Sequence, residues 1–384
     1  MDDSALYFHL QSPSLDDYVE AGPTLSELTS TEQQPADDYF QTCDFLTTVT
    51  AISKAYSCGR YIDMQPLNDV CCSKLADGTH FRIHRATFGT ATSSAPGKPQ
   101  PTRKLIIKRV LSFKQRVQVR EAELALFTRE LLILHHFRGQ ENIVQLQGVG
   151  WFYDCLDDLT PDPKPALLIE EASQTLEKVI AQSPDLLLMT QTKICSDVAH
   201  GLLSIHAAGL VHGDIKPANV LVFEESVIDQ GIEAVRLKCK ISDFSLTRAV
   251  TPGRTYKFKW GTELYKAPEQ GFVFSEDLHL IDVWSLGILF ARVTERNLDL
   301  QPASGNHRML ECMIHEAVHK SIENSTWDPL VCEVRQAMFN HTVRRLPKDR
   351  CLEATVVKLE ELLNWYWGSE KHRFVLEYSL VNLC

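Results

Sequence analysis

Between Val211 and Val222 the sequence reads VHGDIKPANVLV, which sets His212, Asp214, Lys216 and Asn219 at the spacing H-x-D-x-K-x-x-N. An aspartate on a rigid loop can accept the proton of an attacking hydroxyl. An asparagine five residues on, past a turn, can face the same cleft and coordinate a metal. A lysine between them can neutralise charge on a phosphate in transfer. Polar groups this close are costly to bury without a task. Twenty-nine residues beyond Asp214, Asp243 follows the apolar run Leu237 to Ile241 in ISDFSL, where an acid just past a strand end would face the first loop as a second metal ligand. GTELYKAPE at Gly261 to Glu269 and IDVWSLG at Ile281 to Gly287 complete a set of four blocks.

Something must carry these blocks. KLIIKRV, Lys104 to Val110, is a short apolar and β-branched run and predicts a strand. Ile143 to Val149 and Ala166 to Ile169 read as two more. Val117 to Phe137 has helical spacing, with Leu124, Phe127, Leu131 and Leu134 on one side. Further on, helical patterns run over Leu186 to Ala207, His279 to Thr294, Val331 to Phe339 and Leu352 to Tyr366. A strand-rich lobe with one long helix, followed by a mainly helical lobe, is a two-lobed α+β layout. Its boundary falls near Glu170 to Leu176. The Ser/Pro/Gly-rich stretch Thr92 to Thr102 reads as a loop. No repeat of 20 to 50 residues is visible.

Charge is unevenly placed. Residues 1 to 53 hold ten Asp or Glu and no Lys or Arg, so they carry −10 of the net −11. The remaining chain, with 39 basic and 50 − 10 = 40 acidic residues, is nearly neutral, and is not a nucleic-acid binder by bulk charge. Residues 1 to 58 read as an acidic, mostly disordered segment with one short helix around 43 to 55. No apolar run approaches the ~20 residues of a membrane helix. The acidic start lacks the basic-then-apolar pattern of a secretory signal, so an intracellular chain, cytoplasmic or nuclear, without membrane contact is expected. None of the 11 cysteines sits in a Cys-x-x-Cys pair, which predicts reduced thiols rather than a zinc site.

The four blocks, in this order, resemble the signature set of eukaryotic-type Ser/Thr protein kinases over about 300 residues. The H-G-D-I-K-P-x-N-V-L style resembles kinase-domain proteins of filamentous fungi. The resemblance implies a kinase domain over 65–367, with lobes at 65–170 and 171–367 and a short tail at 368–384. It implies ATP and Mg²⁺ as cofactors and a protein Ser/Thr substrate. Asp214 matches the catalytic base and Lys216 the phosphate-contacting lysine. Asn219 and Asp243 match the magnesium ligands, and Thr262 the residue that helps hold the catalytic loop. Glu269 is expected to pair with Arg350, and Asp282 to anchor the catalytic-loop backbone. Lys108 stands where V-A-I-K would place the lysine for the α- and β-phosphates. Its partner on the next helix is Glu130, with Glu121 and Glu123 as alternatives about two turns earlier. In LADGTHFRIHRA, Leu75 to Ala86, only Gly78 aligns with a glycine of G-x-G-x-x-G. Ala76 stands for the first, His80 and Phe81 occupy the space near the third, and Ile83 follows as a nucleotide contact. Ile169 would guard the back pocket, and Glu170 and Ala172 would offer backbone hydrogen bonds to adenine.

Two residues depart from the pattern. Gly213 replaces an arginine that usually binds an activation-segment phosphate, so Thr247, Thr251 and Thr255 are expected not to be an obligatory on-switch. Ser245 replaces the glycine of D-F-G and narrows backbone freedom there. Arg248, Arg254, Lys257, Lys259 and Lys266 make the segment basic, and an intramolecular contact with the acidic N-terminal residues is one expectation. A pseudokinase scaffold is the alternative reading. A small-molecule kinase is disfavoured by Lys216 and the A-P-E block, and a Walker-type enzyme by the absence of G-x-x-x-x-G-K-[ST].

Overall fold

The protein is seen in a computed structural model that describes residues 72–77, 81–89, 102–110, 117–153, 163–183, 186–229, 232–250, 256–257, 261–271, 273–274, 277–300 and 305–368. The helix expected over 43–55, Gly78, His80, Thr251, Arg254, Thr255, Lys259 and the proposed contact of the acidic segment lie outside the described residues.

The strand-rich lobe is a five-stranded antiparallel sheet in the order β1-β2-β3-β5-β4. Its strands are β1 (Cys72–Asp77), β2 (Phe81–Gly89), β3 (Thr102–Val110), β4 (Leu146–Tyr153) and β5 (Pro163–Glu170). β3 takes the centre because Leu105 and Ile107, two apart, both bury fully on one face. Helix α1 (Val117–His136) packs on the other face, the one from which Lys108 projects, and buries Leu124, Phe127, Leu131 and Leu134. The strand expected from Ile143 starts three residues later. Gln145 holds that stretch instead, its side chain donating to the carbonyls of Gln140 and Ile143 at 2.8 Å each. Ile143 makes only an isolated parallel bridge to Ile241.

The helical lobe opens with β6 (Gln174–Thr175) and α2 (Leu176–Gln182), capped by the Thr175 hydroxyl on the Lys178 N–H. Helix α3 (Leu188–Ala207) buries Ile194, Val198, Leu202 and Ile205. It leads into β7 (Leu210–Val211) and a hairpin of β8 (Val220–Asp229) and β9 (Ile232–Ile241). Two-residue strands β10 (Arg248–Ala249), β11 (Tyr256–Lys257) and β12 (Val273–Phe274) follow. The lobe is completed by α4 (Leu280–Thr294), α5 (His307–Glu323), α6 (Pro329–Asn340) and α7 (Leu352–Gly368). Helix α4 is buried along nearly its whole length and forms the lobe's centre. Among the described residues no helix is long and apolar enough to cross a membrane.

Candidate active site

The site is built from two clusters. In the first, Lys108 leaves β3 at the row Ala76, Ile83, Lys108, Leu167 that runs across four strands. Its Nζ lies 2.7 Å from the Glu130 carboxylate of α1 and 3.0 Å from Asp243 Oδ1. Burial alone would lower the Lys108 pKa, but the charges of Asp243 and Glu130 overcome it and the ammonium is held charged well above its usual range. Burial likewise opposes ionisation of Asp243, and the Lys108 charge and hydrogen bond prevail, keeping its carboxyl well below the carboxylate range. Glu130 goes the other way. It is fully buried, it shares one cation, and the negative Asp243 is close, so its pKa is raised despite Lys108. Glu121 and Glu123 lie on the same helix, two turns earlier, with side chains outside the described residues.

The Phe81 ring sits under the same ammonium, 4.5 Å from Nζ, and is buried. A bulky side chain therefore stands against Lys108 where the motif would have glycine. Ile83 is half-buried, opposite Lys108 on β2.

The second cluster is the loop His212 to Asn219. Asp282, in the first turn of α4, accepts the His212 N–H at 2.7 Å and the Gly213 N–H at 2.9 Å, with His206 Nε2 at 3.1 Å. Burial pushes the Asp282 pKa up, and its bond to His206 with the neighbouring histidine charges brings it below the ordinary value. Gly213 has φ +80°, a conformation that glycine takes without a Cβ penalty. Asp214 leaves that turn beside Lys216 Nζ, 2.7 Å from Oδ2. Thr262 donates to Asp214 Oδ1 from its N–H at 3.1 Å and its hydroxyl at 2.8 Å, and the hydroxyl accepts from Lys216 at 2.8 Å. Asn219 donates to the Asp214 carbonyl at 2.9 Å and to Oδ2 at 3.0 Å. The short turn Glu263–Tyr265 after Thr262 is pinned to α4 by Ser285 Oγ donating to the Tyr265 carbonyl at 2.8 Å.

Ser242 joins the clusters. Its N–H and Oγ both donate to the Asn219 carbonyl at 2.9 Å, and its own carbonyl accepts from His212 Nε2 at 3.2 Å. Asp243 follows with φ +65°, alone among the described non-glycine residues in positive φ. Ser245 is thus free of backbone strain, and its proximity helps keep the Asp243 carboxyl ionised. Thr247 is fully buried and donates to the His212 carbonyl at 3.3 Å, so its hydroxyl is closed to modification.

At the lobe junction Ile169 is buried. The Glu170 N–H already donates to the Gln145 carbonyl at 3.2 Å, which leaves the Glu170 carbonyl for a base. Its carboxylate takes Lys240 Nζ at 2.8 Å, while Glu171 pairs with Arg85 of β2. Ala172 follows, half-buried. Farther off, Arg350 meets Glu269 at 2.6 and 3.0 Å and donates to the Leu280 carbonyl at 2.8 Å. Sequence reasoning missed Arg129, which holds the Ser245 carbonyl at 3.1 Å, and His206. It also missed the ring chain Phe137–Phe244–His212, with centroids 6.3 and 5.3 Å apart. An arginine beside Glu130 on the apolar side of a helix was the available signal for Arg129.

Residues 90–361, 272 of the 384, match the family described as protein kinase domain. The chain is similar to the mitogen-activated protein kinase HOG1 of Torulaspora delbrueckii, 30% identical over 167 residues, 44% of this chain and 34% of that protein. It is similar to the mitogen-activated protein kinase sty1 of Schizosaccharomyces pombe, 30% identical over 169 residues, 44% of this chain and 41% of that protein. The match thus spans less than half the length of these relatives.

Proposed function

From the premise that the chain belongs to the protein kinase domain family, we propose that it transfers the γ-phosphoryl group of ATP to serine or threonine hydroxyls of proteins. The observation that carries this reading is the Asp214–Lys216–Thr262 triangle, closed by hydrogen bonds of 2.8 Å. In it Asp214 orients a substrate hydroxyl and takes its proton, and Lys216 places positive charge beside the transferring group. Thr262 keeps the carboxylate and the ammonium in register. Lys108 offers its charge to the phosphates from the opposite lobe. Most of the work asked of these side chains is positioning and charge neutralisation.

Magnesium fits the donors present. Asn219 commits its Nδ2 to Asp214 and keeps its amide oxygen, and Asp243 is ionised. Hard oxygen donors of this kind suit Mg²⁺, which when bound would neutralise phosphate charge there.

Phosphorylation of a randomised peptide library by the purified chain tests the proposal beside Asp214→Asn. The variant is expected to lose roughly 10²–10⁴ in turnover with its nucleotide-dependent thermal shift intact. Equal incorporation by the variant would refute it.

One observation favours a second reading, a scaffold that binds nucleotide weakly. The buried Phe81 ring lies against Lys108, where phosphate oxygens would approach. A thermal shift by Mg·ATP that emerges only in Phe81→Gly, with no autophosphorylation by the parent chain, would select the scaffold.

A further inference from the structure

The turn that follows Thr262 is held from two sides. From Thr262 the chain makes one tight turn, Glu263–Tyr265, and becomes extended at Lys266. On one side Ser285 Oγ of α4 donates to the Tyr265 carbonyl at 2.8 Å. On the other, His307, the first residue of α5, brings its Nε2 to 3.1 Å from the Lys266 carbonyl, 41 residues away in sequence. A carbonyl has only lone pairs to offer, so this nitrogen carries the proton and donates. None of the four motif blocks contains His307.

The histidine is itself held. Asn306 caps α5 by accepting the Met309 N–H at 3.1 Å, which fixes where the helix begins. The His307 ring stands edge-on to Trp284 of α4, centroids 5.8 Å apart and planes at 65°, and that indole is fully buried. The Lys266 side chain does not share the task. It pairs with Glu263 at 2.8 Å, and Glu263 is 69% exposed, so that pair contributes little. The Lys266 backbone is thus fixed by a ring from a different helix.

The held carbonyl is close to the chemistry in bonds as well as in sequence. The Lys266 N–H donates to the Glu263 carbonyl at 3.3 Å, and the Tyr265 N–H to the Thr262 carbonyl at 2.8 Å. Thr262 in turn fixes Asp214 from its N–H and its hydroxyl. A displacement at Lys266 therefore reaches the Asp214 carboxylate through one short turn. A misplacement of about 1 Å at a reacting group is enough to cost roughly 10²-fold in rate.

We propose that His307 is a positioning residue for phosphoryl transfer: its Nε2–H fixes the Lys266 carbonyl and, through the turn Glu263–Tyr265, the Thr262 hydroxyl that orients Asp214. This rests on the phosphoryl-transfer reading, and it makes the first turn of α5 part of the machinery.

His307→Ala and His307→Gln test it, by steady-state kinetics on one peptide and by hydrogen exchange read by mass spectrometry, both on the full chain. Glutamine can place an N–H donor close to where the imidazole Nε2 stands, and alanine cannot. His307→Ala is expected to lower kcat roughly tenfold with the KM for ATP unmoved, and His307→Gln to recover most of it. Peptides over 263–268 should exchange faster in His307→Ala and return toward the parent rate in His307→Gln, while 315–322 at the far end of α5 stay as in the parent. A histidine with a structural role alone would lower the unfolding midpoint and leave kcat per folded molecule intact, and that result overturns the proposal. Equal loss of kcat in the two variants overturns it as well. A parent chain that phosphorylates no peptide removes the phosphoryl-transfer reading and the positioning role with it. An active parent whose exchange over 263–268 is indifferent to His307→Ala removes the His307 link alone.

Discussion

Thr262 holds Asp214 twice, by its backbone N–H at 3.1 Å and its hydroxyl at 2.8 Å, across 48 residues of sequence. The hydroxyl also receives Lys216, so one small side chain fixes both a carboxylate and an ammonium on the opposite loop. Gly261 makes the approach possible. Its φ is +112°, and a Cβ there would meet the Gly213 carbonyl at 3.1 Å. The segment that ends at Glu269 is thereby tied to the loop that carries the chemistry.

Thr262→Val keeps the shape and removes the hydroxyl. Turnover is expected to fall about a hundredfold, as for loss of orientation at a reacting centre, with little change in the KM for ATP. Thr262→Ser should restore most of it. Steady-state kinetics on one peptide substrate distinguishes this from a folding defect, because a folding defect would scale with the amount of active protein and leave Ser and Val alike.

The Glu269–Arg350 pair is a stability element. The Arg350 side chain has no exposure, Glu269 has 10%, and the guanidinium stacks over Trp284 at 5.2 Å. Removing one partner leaves the other charged and buried, so Glu269→Gln and Arg350→Met are each expected to cost about 3–5 kcal/mol in urea unfolding. The double variant should cost clearly less than the sum, because neither orphaned charge remains. Additive losses would mean that the two residues stabilise the fold separately.

Much of this was legible in the sequence because the site residues lie in short runs whose neighbours are apolar. Lys108, Glu130, Asp214, Asn219, Asp243 and Thr262 each sit beside a strand or helix pattern strong enough to place them. The elements that escaped are those with polar outer halves. The β8–β9 hairpin was visible only as VLV and Leu237 to Ile241, since Glu224, Glu225 and Ser226 are exposed and break any alternation. Helix α5 buries Leu310, Ile314 and Val318, but other apolar residues such as Met309 and Cys312 lie exposed on it and blur the stripe in the sequence. Contacts such as Arg129 to Ser245 or Phe244 to Phe137 join residues more than 100 apart, and no local pattern specifies them.

Ser245 gives a third prediction. The sequence suggested restricted motion where glycine is usual, but only Asp243 in that turn has positive φ. Serine is therefore unstrained, and its hydroxyl beside Asp243 favours the ionised carboxylate. Ser245→Ala should cost about 0.5 kcal/mol or less. Ser245→Gly should lose several tenths more through the added freedom of the unfolded chain. Both should retain phosphoryl transfer. A glycine variant more stable than the alanine variant would mean that the folded turn uses positive φ at this position.

Acid sensitivity follows from the histidines. Burial lowers the pKa of His279, with the charge of His206 beside it, ring centroids 4.6 Å apart, adding to the effect. Burial also lowers His307, and His135, His136 and His341 shift the same way. A histidine whose folded pKa is below its unfolded ~6.5 binds fewer protons folded than unfolded in that window, so stability rises with pH there and falls on acidification. Asp282, also lowered, adds a loss of the same sign further down, below its unfolded value. Glu130 opposes them, because its raised pKa makes protonation favour the folded state. One carboxyl against five imidazoles leaves a net decline. Thermal unfolding midpoints are expected to drop steadily from about pH 7 to pH 5, and the slope should flatten in His279→Gln. A midpoint constant over that range would show that these rings are protonated in the folded protein at no cost.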